Sequence, residues 1–262
     1  RSTADEIGVG PVGSERCRRA RPRRDVGSGV LGPAPLVAPR RCIASRPRAG
    51  GVVRMGPPLP SREIGHAKGG KKASVTVGAW LDYACPFSAK FHETFVEKVL
   101  PHYGDDVRLL VYHQVQPWHP QSTMLHEAAI AVADVGGNDA FWKFSSALYA
   151  TQTDFFDANA WGKSRAQIYD ELAALAETSA GVSAMDVSAR LARVVDPDGA
   201  ALNTGNASTQ TLKFHVKLGR QFGVHVSPTA TLNGMVCDTS SGWGLDEWRA
   251  FLDPHVKAAR AA

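Results

Sequence analysis

Apolar positions in residues 73–262 alternate between strand-like runs and helix-like repeats. The run SVTVGAWL at 74–81 is β-branched and apolar, which predicts a strand. Apolar residues then recur at helical spacing over 87–100, and VRLLVYHQV at 107–115 predicts a second strand. A strand, a helix and a strand in this order predict a right-handed βαβ unit with parallel strands.

A long helical block separates this unit from a second β region. Apolar steps of three and four residues predict helices at 126–135, 140–150, 167–176, 187–195 and 209–222. Two short strands joined by Asn233-Gly234 follow, and a final helix is predicted at 245–259. The predicted order is therefore βαβ, a helical insertion, and αββα.

Residues 1–72 differ in composition from the rest of the chain. They hold 16 Lys/Arg against 5 Asp/Glu and no aromatic residue, whereas residues 73–262 hold 14 against 20. A segment rich in Gly, Pro and Arg buries too little apolar surface to offset its ordering entropy, so we expect 1–72 to be disordered. Its Arg clusters are typical of a solvated tail, and we expect no nucleic-acid partner. If residues 1–54 act as a transit peptide, the destination is an organelle.

The cysteines and the lack of a long apolar stretch indicate the cellular compartment. Cys17 and Cys42 lie in the basic segment, which leaves Cys85 and Cys237 for the folded part and indicates no disulfide framework. No stretch approaches the length of a membrane span. We therefore expect a cytoplasmic protein without a membrane partner.

Cys85 stands where the first predicted strand gives way to a helix. Free N–H groups and the helix dipole at such a point stabilise a thiolate, the reactive form of cysteine. Pro86 suits the first helical turn, and Ser88 shares roughly the helical face of Cys85. The alternative is that Cys85 is a small buried apolar residue.

A second motif, Val226-Ser227-Pro228-Thr229, precedes the third predicted strand. A proline that enters a strand fits a turn, a cis peptide bond or a sheet edge.

With this element order, the segments 82–88 (DYACPFS) and 224–229 (VHVSPT) resemble the DsbA-like branch of the thioredoxin superfamily. The resemblance covers about 74–261. It implies an α/β fold, a thioredoxin-like domain at 73–262 with an all-α insertion at about 119–208. It also implies that Cys85 attacks substrate and that a cis Pro228 faces it across a groove. Ser227 would then lend backbone contacts, and Pro86, Phe87 and Thr229 would line the groove.

The sequence departs from this family at one position. The family's redox enzymes carry a second cysteine three residues after the first, where this chain has Ser88. An internal disulfide within this motif is therefore excluded. Cys85 could still form a mixed disulfide that glutathione resolves as co-substrate. Cys237 is the other possible resolving thiol, although we interpret it as structural.

The histidines match no zinc-binding spacing, so the sequence predicts no metal site. A structural role is the expectation for His113, His126, His215 and His225. Trp118 and His119 follow the second strand, where a parallel sheet places its ligand crevice, and they are secondary site candidates.

Three functions remain open from the sequence. The first is a monothiol oxidoreductase that acts through Cys85 on a protein or glutathione disulfide, without a bound cofactor. The second is a glutathione transferase or isomerase in which Ser88 activates the glutathione thiol. The third is a binding module that retains the groove for a peptide or partner but lacks redox turnover.

Overall fold

A mixed sheet organises the chain. The structure, a computed structural model, describes residues 63–261. The five-stranded sheet has the order β1-β3-β2-β4-β5. Its central pair, β2 and β3, is parallel, and its other pairs are antiparallel. The strands are β1 (His66–Gly69), β2 (Val75–Leu81), β3 (Val107–His113), β4 (Thr229–Leu232) and β5 (Met235–Cys237).

Strand β1 corrects the predicted boundary of the basic segment. Residues 66–69 belong to the sheet, so the expectation of disorder across 1–72 is wrong for these residues, while residues 1–62 lie outside the described part. The sequence HAKG has neither β-branched residues nor apolar alternation, so it carries no strand signal of its own. Pairing with β3 imposes the conformation, in a register that runs from His66 opposite Val111 to Gly69 opposite Arg108.

The helices cover the sheet and form the insertion. Helix α1 continues through a π-helical turn at Phe95–Val99 into α2, and α3 is broken at Gly137, whose φ of 77° departs from helical geometry. This break confirms the predicted interruption between the helices at 126–135 and 140–150, where the sequence has Gly136-Gly137. The helices are α1 (Pro86–Thr94), α2 (Leu100–Tyr103), α3 (Ser122–Ala150), α4 (Asp157–Ala160), α5 (Arg165–Ala180), α6 (Ala184–Leu191), α7 (Thr209–Gln221) and α8 (Leu245–Ala261).

The parallel pair β2–β3 fixes where chemistry can occur. Both strands are almost wholly buried, and the aromatic rings of Phe91, Phe95 and Trp248 pack in the core beside them. Burial of such side chains stabilises each by roughly 1.5–3 kcal/mol. The start of α1 is therefore held firmly at the carboxyl end of β2, the edge where open α/β sheets bind ligands.

We expect the buried His92 to make the fold sensitive to acid. Burial, with a smaller contribution from Lys68, lowers the pKa of His92 from 6.5 to about 4. The unfolded chain binds this proton below pH 6.5 and the folded chain does not until about pH 4, so stability is lost as the pH falls through that interval. The loss is about 3 kcal/mol. Chemical denaturation at pH 6.5 and at about pH 4 measures this loss of unfolding free energy. The loss should be smaller for His92→Gln than for the wild type, whereas the exposed His102→Gln should behave like the wild type.

Candidate functional site

Cys85 is the N-cap residue of α1. Its backbone is extended, with φ −91° and ψ 120°, and its carbonyl oxygen accepts hydrogen bonds from the N–H groups of Ser88 and Ala89. Pro86 occupies the first helical turn, as predicted. The sulfur therefore lies at the positive end of the helix dipole, although the residue is only 5% exposed.

The loop before β4 faces Cys85. The Cys85 thiol donates to the carbonyl oxygen of Ser227 at 3.4 Å, and the Ser227–Pro228 peptide bond is cis. Strand pairing explains the approach, because Trp80 near the end of β2 lies opposite Thr229 at the start of β4. The two sequence motifs are thus brought together.

Ser88 lies in the first turn of α1. Its side chain is fully buried, and its hydroxyl accepts a hydrogen bond from the N–H of Asp82 at 3.1 Å. A hydroxyl in this position helps to hold the turn that carries Cys85. Its burial gives no support to a direct role in activating a bound thiol. Cys237 is also a free thiol, on the outer strand β5, and burial raises its pKa.

Asp82 is a buried hub that sequence reasoning did not assign to the site. Its side chain is fully buried, three residues before Cys85. Burial alone would raise its pKa, but the neighbouring His126, Ser122 and His119 side chains lower it well below the usual range. Asp82 is therefore ionised at neutral pH. Its carboxylate accepts hydrogen bonds from the Ala84 and Gln116 N–H groups, the Ser122 hydroxyl and His119 Nδ1.

Asp82 and His119 form a carboxylate–imidazole pair. His119 Nδ1 lies 3.0 Å from Asp82 Oδ2, and because the carboxylate can only accept, Nδ1 carries the proton. The Nε2 atom of His119 is then the basic nitrogen. The His119 side chain is 20% exposed, so it connects the buried hub with solvent.

Three exposed apolar side chains are sequence neighbours of the site residues. Phe87 is 54% exposed, Trp118 is 58% exposed and Val226 is 57% exposed. In the sequence, Phe87 follows the Cys85-Pro86 pair, Trp118 precedes His119, and Val226 precedes Ser227. The Val226 carbonyl is tied by a hydrogen bond from the Thr229 hydroxyl at 2.7 Å. Sequence reasoning selected Phe87, Trp118 and Thr229 but missed Val226.

The family follows from this geometry and from a sequence match. The sequence model described as "Thioredoxin" matches residues 61–254, which include Asp82, Cys85 and Pro228. The chain belongs to the thioredoxin family. Its helical insertion makes it DsbA-like, as the sequence resemblance implied.

Two solved structures share the fold of this thioredoxin-family chain. One is a candidate protein-disulfide isomerase from Pseudomonas syringae, 24% identical, with a TM-score of 0.57 over 72% of this chain and 97% of that one. The other is oxidised BdbD from Bacillus subtilis, 19% identical, with a TM-score of 0.58 over 74% of this chain and 93% of that one. At these identities, the likeness concerns the fold.

A curated relative is a much larger protein. The Na(+)/H(+) antiporter NhaA 3 of Salinispora tropica is 32% identical over 128 residues, which are 48% of this chain and 19% of the antiporter. The thioredoxin-family chain thus spans about a fifth of that relative's length. Within residues 63–261, every helix is too short or too polar to span a bilayer.

The fold also gathers histidines that lie far apart in the sequence. His66, His113 and His215 place candidate ligand atoms within 4.8 Å of one another. They come from β1, β3 and α7, so spacing rules for zinc motifs could not detect them. The expectation of no metal site rested on spacing alone and did not take this cluster into account. Burial lowers the pKa of His113 and His215 well below 6.5, so both rings are neutral at neutral pH.

Proposed function

We propose that this protein is a monothiol thiol-disulfide oxidoreductase that acts through Cys85 and is regenerated by glutathione. The observation that carries the proposal is the position of the Cys85 sulfur, at the start of α1 and 3.4 Å from the Ser227 carbonyl oxygen. Helix N-termini stabilise the thiolate that thiol–disulfide exchange requires.

The first step is attack on a substrate disulfide. The Cys85 thiolate bonds to the glutathione sulfur of a glutathionylated protein, the substrate S–S bond breaks, and the protein leaves as a thiolate that takes a proton from water. Cys85 now carries glutathione as a mixed disulfide. The two electrons of the broken S–S bond depart with the protein sulfur.

The second step needs an external thiol. A second glutathione loses its proton to His119 Nε2, and its thiolate attacks the glutathione sulfur on Cys85. Oxidised glutathione leaves and the Cys85 thiolate is restored. The Asp82 carboxylate stabilises the imidazolium that forms, because it accepts the His119 Nδ1 hydrogen bond at 3.0 Å.

The surroundings of Cys85 favour an extended substrate. The exposed Phe87, Trp118 and Val226 side chains, which neighbour Cys85, His119 and Ser227 in the sequence, would offer apolar contact to such a substrate. The loop at Ser227 and Pro228, directly before β4, offers backbone carbonyl groups, of which the Ser227 carbonyl already faces the sulfur. A bound substrate would displace the Cys85 thiol from the Ser227 carbonyl oxygen and donate its own hydrogen bond to that oxygen.

Ser88→Cys should convert the enzyme to two-cysteine chemistry. A cysteine at this buried position stands where the two-cysteine relatives carry their resolving thiol, so we expect it to displace bound substrate without glutathione. Reduction of a peptide disulfide by the variant should release product in a single turnover without glutathione. The wild type should stop at the mixed disulfide, as should Ser88→Ala. Equal glutathione dependence of Ser88→Cys and the wild type would contradict the proposed resolving step.

His119→Gln should slow the glutathione step. Removing a general base typically costs a factor of about 10²–10⁴. We expect regeneration of Cys85 to slow by at least about 100-fold at neutral pH, with the deficit shrinking as rising pH supplies free thiolate. The titratable groups next to His119 in the proposed step are the Asp82 carboxylate and the thiol of glutathione. The exposed His225→Gln is the matched control, and a pH-independent deficit in His119→Gln would indicate a structural role instead.

A further inference from the structure

Three imidazoles from separate elements meet beside the last residue of β3. His66 lies on the edge strand β1, His113 ends β3, and His215 lies on α7. Their candidate ligand nitrogens all lie within 4.8 Å of one another, and His66 Nε2 is 3.2 Å from His113 Nε2. Two nitrogens bound at 2.0–2.1 Å to one tetrahedral zinc ion are about 3.3 Å apart. The closest pair therefore already has the separation of two ligands on one ion.

Burial favours neutral imidazoles at His113 and His215, which are each 1% exposed. The His66 ring stacks on Phe141 with 3.6 Å between centroids. Neutral rings retain the lone pair that a metal ion needs. A set of nitrogen ligands suits zinc and its transition-metal neighbours, and does not suit magnesium or calcium.

His113 has a second imidazole neighbour, His126, on its other side. His113 Nδ1 lies 2.7 Å from His126 Nδ1, and His126 Nε2 lies 3.8 Å from the Asp82 carboxylate. If the His126 proton lies on Nε2, toward the ionised Asp82, then His126 Nδ1 accepts from His113 Nδ1–H. The lone pair of His113 is then on Nε2, where it accepts a hydrogen bond from His66 Nε2–H, whose proton zinc would replace. Such outer partners orient and strengthen metal-ligating histidines.

We propose that His66, His113 and His215 form a zinc-binding site, with water as the fourth ligand. His215 Nδ1 accepts a hydrogen bond from the His113 N–H at 3.1 Å, so its proton lies on Nε2. Binding through His215 Nε2 moves this proton to Nδ1 and turns the ring, so the hydrogen bonds that His66 and His215 make with His113 are exchanged for metal bonds. The site would fasten β1 and α7 to β3. It is independent of the chemistry proposed for Cys85.

Zinc titration of the purified full chain tests the site. Isothermal titration should give one Zn²⁺ per chain that depends on the three histidines, and Co²⁺ in its place should give the visible absorption of a tetrahedral site. His66→Gln and His215→Gln should each weaken Zn²⁺ binding by more than the 10–100-fold typical of outer partners, whereas the exposed His102→Gln should not. Circular dichroism confirms that each variant is folded.

Two results would overturn the site. The first is a wild-type chain that binds no Zn²⁺ and whose Tm does not rise with zinc. The second is binding that both ligand variants leave unchanged, which would place the ion elsewhere on the chain. The wild-type titration decides the first result even if a variant does not fold.

Discussion

Cys85→Ala is expected to abolish turnover of glutathionylated substrate, with a loss of at least about 10³-fold. No other described thiol shares its place at a helix start, since Cys237 lies on β5 with a raised pKa. The variant should remain folded, because the Cys85 sulfur has one weak hydrogen bond, to Ser227. We expect the free energy of unfolding to change by no more than about 1 kcal/mol. A coupled assay that follows formation of oxidised glutathione measures the rate.

Two variants separate this mechanism from the alternatives. Cys237→Ala should retain turnover, because the second thiol has no part in either step. Ser88→Ala should retain most of it, because the Ser88 hydroxyl is buried against the Asp82 N–H. Loss of activity in Ser88→Ala with full activity in Cys85→Ala would instead favour a glutathione transferase or isomerase. A wild type that shows no turnover, and whose binding partners are captured equally well by Cys85→Ala, would favour a binding module.

Asp82→Asn is expected to destabilise the fold more than any other single change in the site. The fully buried carboxylate accepts hydrogen bonds from two backbone N–H groups, a hydroxyl and an imidazole. An asparagine presents an NH₂ group to donors that need an acceptor. Breaking such a buried charged network costs roughly 3–5 kcal/mol. Urea unfolding at pH 7 measures the difference, with the exposed Asp139→Asn as control.

The pH dependence of this loss has a defined sign. The folded-state pKa of Asp82 is lowered, so its stabilising contribution is present above the unfolded pKa of about 3.9 and declines as the pH falls below it. The difference between wild type and Asp82→Asn should therefore shrink below about pH 4. A constant difference across this range would show that the carboxylate charge does not provide the stabilisation.

The sequence was sufficient for the features that depend on local pattern. Apolar periodicity predicted β2, β3 and the helix that begins at Cys85, because these elements are amphipathic or fully buried over their whole length. The Gly136-Gly137 break was predictable because glycine readily adopts the positive φ that Gly137 has. The approach of the Cys85 and Pro228 segments came from resemblance to a family, since no local pattern connects two motifs so far apart.

Features that depend on distant partners were not predictable. Strand β1 has no strand pattern and exists because β3 offers an edge. Three of the four hydrogen-bond partners of the Asp82 side chain lie 34, 37 and 40 positions further along the chain, so an aspartate before a cysteine gave no sign of a buried hub. The sequence predicted that Ser88 shares roughly the helical face of Cys85, and only the structure shows that its hydroxyl accepts a hydrogen bond from the Asp82 N–H.

Exposure to oxidised glutathione followed by peptide mass spectrometry tests the role of Cys85 most directly. We expect one glutathione on Cys85, which reduced glutathione then removes to regenerate the free thiol and oxidised glutathione. Both halves are needed, since the adduct reports an accessible thiolate and its removal reports resolution without a second cysteine. Absence of the adduct, or an adduct on Cys85 that reduced glutathione cannot remove, would contradict a monothiol mechanism.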